Sequence, residues 1–286
     1  MISRKDKIKG FLRTFYGRGF IVYAATVVLL IFIISALFAP LLTSYDPNQI
    51  DLNISLSLPS KEHLLGCDLH GRDIFTRILY GARVSLTMSV LSCFVGAVVG
   101  MILGLIAGYK EGIIGGLIMR YVDLQLAIPP MLFTIIIGML AGHSMIGMVV
   151  AISFGMLPGF IRLMYGLVLS LKNNDYIVAL RFANVSGTKI IFKHLLPNAF
   201  TTMMVNFTMH LGGAIMLESM LSFLGIGIQQ PTASWGSMVA DGYQYIFTRP
   251  ALAFVPGLCI MFLVLSLNIL GDSLRDAIDP RLKGKL

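Results

Sequence analysis

Residues 20–42 read FIVYAATVVLLIFIISALFAPLL, 23 positions in a row without a charged side chain. At 1.5 Å per helical residue such a stretch is about 35 Å long, enough to cross a hydrocarbon layer of about 30 Å. It is longer than the h-region of a signal peptide, and no small-x-small cleavage pattern follows it, so it reads as a retained membrane helix. Working outward, the same signature recurs at 84–108, 124–142, 144–171 (interrupted only by Arg162), 195–217 continuing past Glu218 to about residue 228, and 250–271. The expectation is an all-α polytopic membrane protein with six transmembrane helices. Composition agrees. Of 286 residues, 56% are hydrophobic and 13% charged, against about 25% charged in a soluble domain. A water-soluble enzyme and a disordered chain are both excluded.

The net charge of +8 follows topology. With the N-terminus inside and six alternating spans, the N-tail 1–19 carries Arg4, Lys5, Lys7, Lys9, Arg13 and Arg18. The second inner loop carries Lys110 and Arg120, and the third carries Arg162, Lys172, Arg181, Lys189 and Lys193. The C-tail 273–286 carries Arg275, Arg281, Lys283 and Lys285. Thus 17 of the 22 basic residues fall inside, leaving Lys61, Arg72, Arg77, Arg83 and Arg249 outside. This is the positive-inside pattern, and it assigns the basic charge to anionic lipid rather than nucleic acid.

Catalytic signatures are missing. There is no GxxxxGK[ST], so the chain has no phosphate-cradling loop of its own, and neither HExxH nor GxSxG occurs. Cys67, Cys93 and Cys259 form no CxxC pair, and no metal-ligand spacing is present. Four ionisable residues lie near the membrane interior. Asp123 and Arg162 read as inner-interface residues that snorkel. Glu218, with Ser222 one turn on, reads either as part of a solute path or as a packing group paired with Asn206 or His210. The lone Trp235 reads as an interfacial anchor.

Two polar segments carry the most information. In 43–83, turn chemistry at Tyr45-Asp46-Pro47 and Pro59 precedes HLLGCDLHGRD at 63–73. From Ile74, apolar residues at helical spacing beside Arg72, Arg77 and Arg83 suggest an amphipathic interfacial helix leading into span two. This reads either as an outer docking or gating surface, or as a helix that merely orients the span. In 172–197, Asp175 is an N-cap candidate, and Tyr176, Ala179, Leu180 and Ala183 share one helical face. Asn184 suits a left-handed helix end, Ser186 can cap a second short helix, and Pro197 marks the next span. The pair of short helices reads either as an elbow resting on lipid headgroups or as a plug for a cleft in a cytoplasmic partner.

Three separated motifs then resemble one family, the C-type permease subunits of ABC importers for dipeptides, oligopeptides and nickel. The first motif is His63, Gly66, Asp68, Gly71, Arg72, Asp73, Arg77, Tyr80, Gly81, Arg83, Ser85 and Leu86. The second is Leu221-Ser222-Phe223-Leu224-Gly225 with Gly227, Pro231 and Trp235-Gly236, and the third is Asn268, Gly271-Asp272, Leu274-Arg275-Asp276 and Asp279-Pro280-Arg281. The resemblance implies a type I importer permease fold with both termini cytoplasmic: span one at 20–42, an extracytoplasmic segment at 43–83 and a core at 84–272. It also identifies 172–197 as the family's EAA-type coupling loop, with Asp175, Tyr176, Ala179, Leu180, Arg181, Ala183, Asn184, Leu196 and Pro197 meeting an ATPase. In that motif Val178 replaces the usual Glu, Leu180 the second Ala and Asn184 the Gly. Cys67 replaces the usual Thr of the outer motif.

The implied partners are a second permease, two ATP-binding subunits, an extracytoplasmic solute-binding protein and the lipid of a bacterial or archaeal cell membrane. ATP and Mg would be bound by the ATPases, and this chain would need no cofactor. The implied cargo is a di- or oligopeptide. One alternative is nickel or another metal chelate carried by the same architecture. Another is an ion-coupled carrier acting alone through Asp123, His210 and Glu218, for which no inverted repeat is visible.

Overall fold

The computed structural model describes residues 14–17, 19–110 and 112–278. The basic tail positions up to Arg13, together with Arg18, and the motif end Asp279-Pro280-Arg281 with Lys283 and Lys285, lie outside the described residues. The described chain is helical, with one isolated antiparallel bridge between Cys67 and Asp73. Helix α1 is Phe20–Leu42, and a 3-10 turn at Leu52–Ile54 lies in the long segment that follows. Then come α2 Ile74–Tyr109, α3 Ile113–Leu126, α4 Pro130–Ala141 and α5 Met145–Lys172. Two short helices follow, α6 Asp175–Phe182 and α7 Gly187–Ile190, and a π-helical turn at Ile191–Leu195 leads into α8 Leu196–Phe223. The chain continues with α9 Trp235–Tyr243 and α10 Ala251–Ile278.

Helices α1, α2, α5, α8 with its lead-in, and α10 are each long and apolar enough to cross a membrane. The expected third span is not one rod. Helices α3 and α4 together meet the criterion, but they bend by 98° at a short break. Pro129 and Pro130 explain the break: each lacks an N–H, and each disfavours helical geometry in the residue before it. A second expectation is also corrected. Ile74–Arg83 is not a separate helix on the surface. It forms the first turns of the 36-residue α2, and Arg77, expected at an interface, is 1% exposed.

Helix α2 is the central post, packed on α5 and α8. Gly100, Gly104 and Gly108 lie one above another on its α5 face, as residues four apart in a helix must. A methyl at these positions would stand 2.5–2.7 Å from the Cβ of Phe160, Met164 and Val168, so only glycine permits this approach. Met88, Met148, Ile152, Phe160, Met164 and Val168 fill the resulting core completely. At the end of α2 nearer Tyr109, Lys172 Nζ donates to the Gly108 carbonyl at 3.2 Å. The α6–α7 segment lies at this end, here the elbow end. The 43–73 segment and the α8–α10 connection share the opposite, loop end.

Pro40, Pro158 and Pro256 lie inside spans and leave carbonyls without their usual i+4 donors, and at the first two a neighbouring side chain supplies one. Pro40 frees the Ala36 carbonyl, and Phe38 nearby is non-helical. Arg83 Nε donates to Ala36 O at 3.0 Å, and its Nη2 donates to Leu37 O at 3.1 Å. Pro158 frees the Phe154 carbonyl, and Gln125 Nε2 of α3 donates to it. In both places a side chain from a neighbouring helix replaces the missing N–H, as an apolar surrounding demands.

Candidate functional site

Two constellations stand at opposite ends of the bundle. At the loop end the outer motif folds into a buried charge network. Gly66 and Gly71 have φ of +77° and +72°, a region that glycine enters without steric cost. Their turns bring the Asp68 carboxylate back on its own loop: Oδ1 accepts from the His70 N–H at 2.8 Å and the Arg72 N–H at 3.0 Å. Its Oδ2 accepts from Arg72 Nε at 2.7 Å and lies 3.6 Å from Arg77 Nε. Asp73 caps α2 by accepting from the Thr76 N–H at 2.7 Å, while His63 Nδ1 stands 3.0 Å from its other oxygen.

The network crosses to the segment after α8. Arg72 Nη1 donates to Gln230 Oε1 at 3.1 Å, and Gln230 Nε2 donates to Asp241 Oδ2 at 2.8 Å. Arg77 Nη1 donates to the carbonyls of Pro47 and Pro231 at 2.9 and 3.2 Å. Burial raises the Asp241 carboxyl above its ordinary value, with Arg72 and Arg77 pulling the other way. Burial likewise raises the Cys67 thiol, which keeps it protonated and unreactive. Arg72 is 2% exposed. Asp68, Arg72, Asp73 and Arg77 thus hold the loop end together. Tyr80 receives the Arg83 guanidinium over its ring at 5.8 Å.

Trp235 is not an interfacial anchor. It is completely buried, its indole N–H donates to Ile78 O at 3.0 Å, and Phe32 meets its ring edge-on. Gly81 makes room for it: a Cβ there would lie 3.0 Å from the indole. Phe32 of α1 and Ile78 and Gly81 of α2 thus converge on one indole.

At the elbow end, α6 begins with Asp175, and Asn174 occupies the N-cap position that was expected for Asp175. Asn184 has φ of +57°, the left-handed turn expected of it. Ser186 stands at the N-cap of α7, and Pro197 is in the first turn of α8. The elbow is anchored by Ile177, Ile190 and Leu195, all 0% exposed, a set that the sequence reading missed. Tyr176, Ala179, Ala183 and Phe182 point outward, Phe182 by 88%. Leu180 is half-buried, and Leu196 packs on the core. Arg181 lies over the Tyr109 ring at 5.5 Å.

The candidate path residues are enclosed. Glu218 is 0% and Ser222 4% exposed. Ser222 donates to Glu218 Oε1 at 2.9 Å and Ser219 to Oε2 at 3.4 Å. Neither of the packing partners expected for Glu218 supplies these bonds. His210 instead stands against Phe160, 4.9 Å between ring centres, with Nδ1 2.9 Å from Asn206 O. Asp123 and Arg162 do not snorkel separately but pair with each other. The three residues of the ion-coupled alternative thus each bond a different partner. Among the described residues no group of three His, Cys, Asp or Glu could hold a metal ion.

The comparisons with known proteins agree with this architecture. Residues 100–284 match the family model described as binding-protein-dependent transport system inner membrane component, and residues 21–59 match the N-terminal TM domain of oligopeptide transport permease C. The chain is 39% identical over 287 residues to the glutathione transport system permease protein GsiD of Salmonella typhimurium (strain LT2), covering 99% of this chain and 95% of that one. It is 38% identical over 261 residues to the "Putative peptide transport system permease protein" of Brucella suis biovar 1 (strain 1330), covering 90% and 86%. Among solved structures, a chain of the MetNI methionine ABC transporter in inward-facing conformations matches with a TM-score of 0.57. That match is 20% identical and covers 72% of this chain and 98% of the other, and it speaks to the fold alone.

Proposed function

This chain belongs to the family of binding-protein-dependent transport system inner membrane components, and from that premise we propose that it forms one half of the membrane passage of an ATP-driven peptide importer. It is a multi-pass permease component of an ABC importer. The observation that carries the peptide reading is similarity along essentially the whole chain to permeases named for glutathione and peptide transport.

In this reading both termini and the elbow face the cytoplasm, the loop end faces the binding protein, and the membrane is the cell or inner membrane. A second permease completes the passage, and two separate subunits bind ATP and Mg. This chain holds no cofactor. The elbow suits the transmission of force. Tyr176, Ala179, Phe182 and Ala183 offer an apolar surface, while Ile177, Ile190 and Leu195 root the same segment in the core between α5 and α8. Movement of a docked ATPase would therefore tilt whole helices rather than a loose loop. At the other end the Asp68–Arg72–Arg77 clamp fixes α2 to the α8–α9 connection, giving a delivering protein a rigid platform.

The test is uptake by vesicles holding this chain with its companion permease and ATPases, supplied with binding protein. The expected result is accumulation of labelled di- or oligopeptide that requires ATP. Uptake of a nickel chelate without peptide uptake would reassign the cargo. Uptake that survives ATP depletion and collapses with the proton gradient would overturn the importer reading.

A further inference from the structure

Asp123 and Arg162 form an exposed ion pair within two apolar helices, with Arg120 exposed one turn nearer the elbow end. Asp123 is ten residues after Ile113, the start of α3, and Arg162 is ten residues before Lys172, the end of α5. Both helix ends belong to the elbow end, so both side chains stand about 15 Å along their helices. Helix α5, 28 residues and about 42 Å long, overhangs a hydrocarbon layer of about 30 Å, and centred on that layer it carries Arg162 about 9 Å inside it. Yet the Arg162 and Asp123 side chains are 53% and 63% exposed on the isolated chain. The exposed face of α1 looks different, with Val27, Leu30, Ile31, Ile34 and Leu37 in view. That is a lipid-facing surface; charges inside the hydrocarbon layer are instead found facing water or protein.

We propose that in the assembled importer this pair faces the water-filled passage. There it is the charged step that a zwitterionic peptide crosses, Asp123 receiving the ammonium and Arg162 the carboxylate. The inference rests on the importer reading and names two residues of its solute path. The surrounding surface fits a passage better than a dry seam. One turn to either side of Arg162 on the same face are Gly159 and Gly166, both exposed, so the floor is open. On the far side α8 brings His210 against Gly159, 3.6 Å from where a Cβ would be. The groove is thus floored by glycine and walled by ionisable groups of two other helices.

The test uses the full complex with its companion permease and ATPases. Gly166→Cys is the probe, since nothing lies within 4 Å of a Cβ there, and the wild-type complex with its native cysteines supplies the background. A membrane-impermeant, charged methanethiosulfonate reagent should modify Cys at 166 at least tenfold faster than background. Arg162→Gln should lower ATP-driven dipeptide uptake at least tenfold while ATPases still co-purify, and Arg162→Lys should restore uptake to within about threefold. Background-level labelling, or oxidative cross-linking of this cysteine to one in the companion permease, would place the pair in a seam and overturn the proposal. Unchanged uptake by Arg162→Gln would overturn the contact with cargo. If the wild-type complex moves no peptide, the peptide clause falls with the peptide reading of the cargo. The labelling rate still decides whether the face is wet.

Discussion

If Arg83 replaces the N–H that Pro40 lacks, then Arg83 should matter only while residue 40 is proline. Arg83 reaches two α1 carbonyls, Ala36 O at 3.0 Å and Leu37 O at 3.1 Å. A hydrogen bond from a charged donor contributes about 1.5–3 kcal/mol, and a carbonyl left unpaired costs about 1–3 kcal/mol. Ala36 lies six residues before the end of α1, about 9 Å along the axis, and Arg83 itself is exposed. Water can partly reach the site, so the lower end of each range applies, and Arg83→Met should cost about 1.5–2 kcal/mol. In a Pro40→Ala background the residue 40 N–H is free to bond Ala36 O. The same Arg83→Met change should then cost only about 0.5 kcal/mol, the exposed cation–π contact with Tyr80. The coupling energy is thus about 1 kcal/mol, roughly a fivefold change in the folded-to-unfolded ratio. Equilibrium denaturation of the four variants in mixed detergent micelles measures it. Equal cost of Arg83→Met in both backgrounds would refute the reasoning, because it would show that Arg83 stabilises α1 for reasons unrelated to the proline.

Other positions test the same logic. Trp235→Phe removes the indole donor to Ile78 O and should destabilise the loop end by about 1–3 kcal/mol, seen as a lower midpoint in thermal unfolding; no shift would deny the indole its structural role. Ala179→Asp places a charge on the exposed elbow face and should abolish co-purification of ATPase subunits without lowering the yield of folded permease, and full transport by this variant would remove the docking reading. Ile177→Ala empties a completely buried position of the same helix and should cost about 2–5 kcal/mol in stability, so the two elbow variants should fail in different assays. Glu218→Gln keeps an acceptor for the Ser222 hydroxyl and should leave uptake within about threefold, whereas a tenfold loss with intact assembly would return Glu218 to the solute path.

Span positions are legible because apolar length is a one-dimensional signal, and 20–42 needs no partner to announce itself. The third span departs from expectation for a local reason: 124–142 is as apolar as the others, and only the Ile128-Pro129-Pro130 junction marks where its helix stops. The outer motif is recognisable as a set, but its use is not. Arg72 and Arg77 carry charge, and charge beside an apolar helix suggests a surface. Their partners, Gln230 and the carbonyls of Pro47 and Pro231, lie in other parts of the chain, so their burial is visible only in the fold. Trp235 differs from expectation in the same way. A lone tryptophan near a span end is usually interfacial, and here the decisive fact is the space left by Gly81, over 150 residues away. In the elbow the spacing 176, 179, 180, 183 finds the outward face. Ile177, at the position that faces inward, escapes that pattern because a buried anchor and an exposed stripe share one short helix.

The proline sites carry a wider consequence for apolar helices. A proline within an apolar run does more than kink the helix; it frees a carbonyl that a donor from elsewhere can take up, as happens at two of the three in-span prolines here. Pro40 and Pro158 each obtain one from a polar side chain on a neighbouring helix, Arg83 of α2 and Gln125 of α3. A polar residue in one span, set beside a proline in another, is therefore a contact that can be sought in the amino-acid sequence itself. It also offers a simple explanation for side chains that look functional. Arg83 belongs to the motif that resembles peptide permeases, yet its bonds are to the backbone of α1. Exposed charge supports a functional reading only where no freed carbonyl accounts for it. Asp123 and Arg162, which bond each other and no freed carbonyl, pass that test.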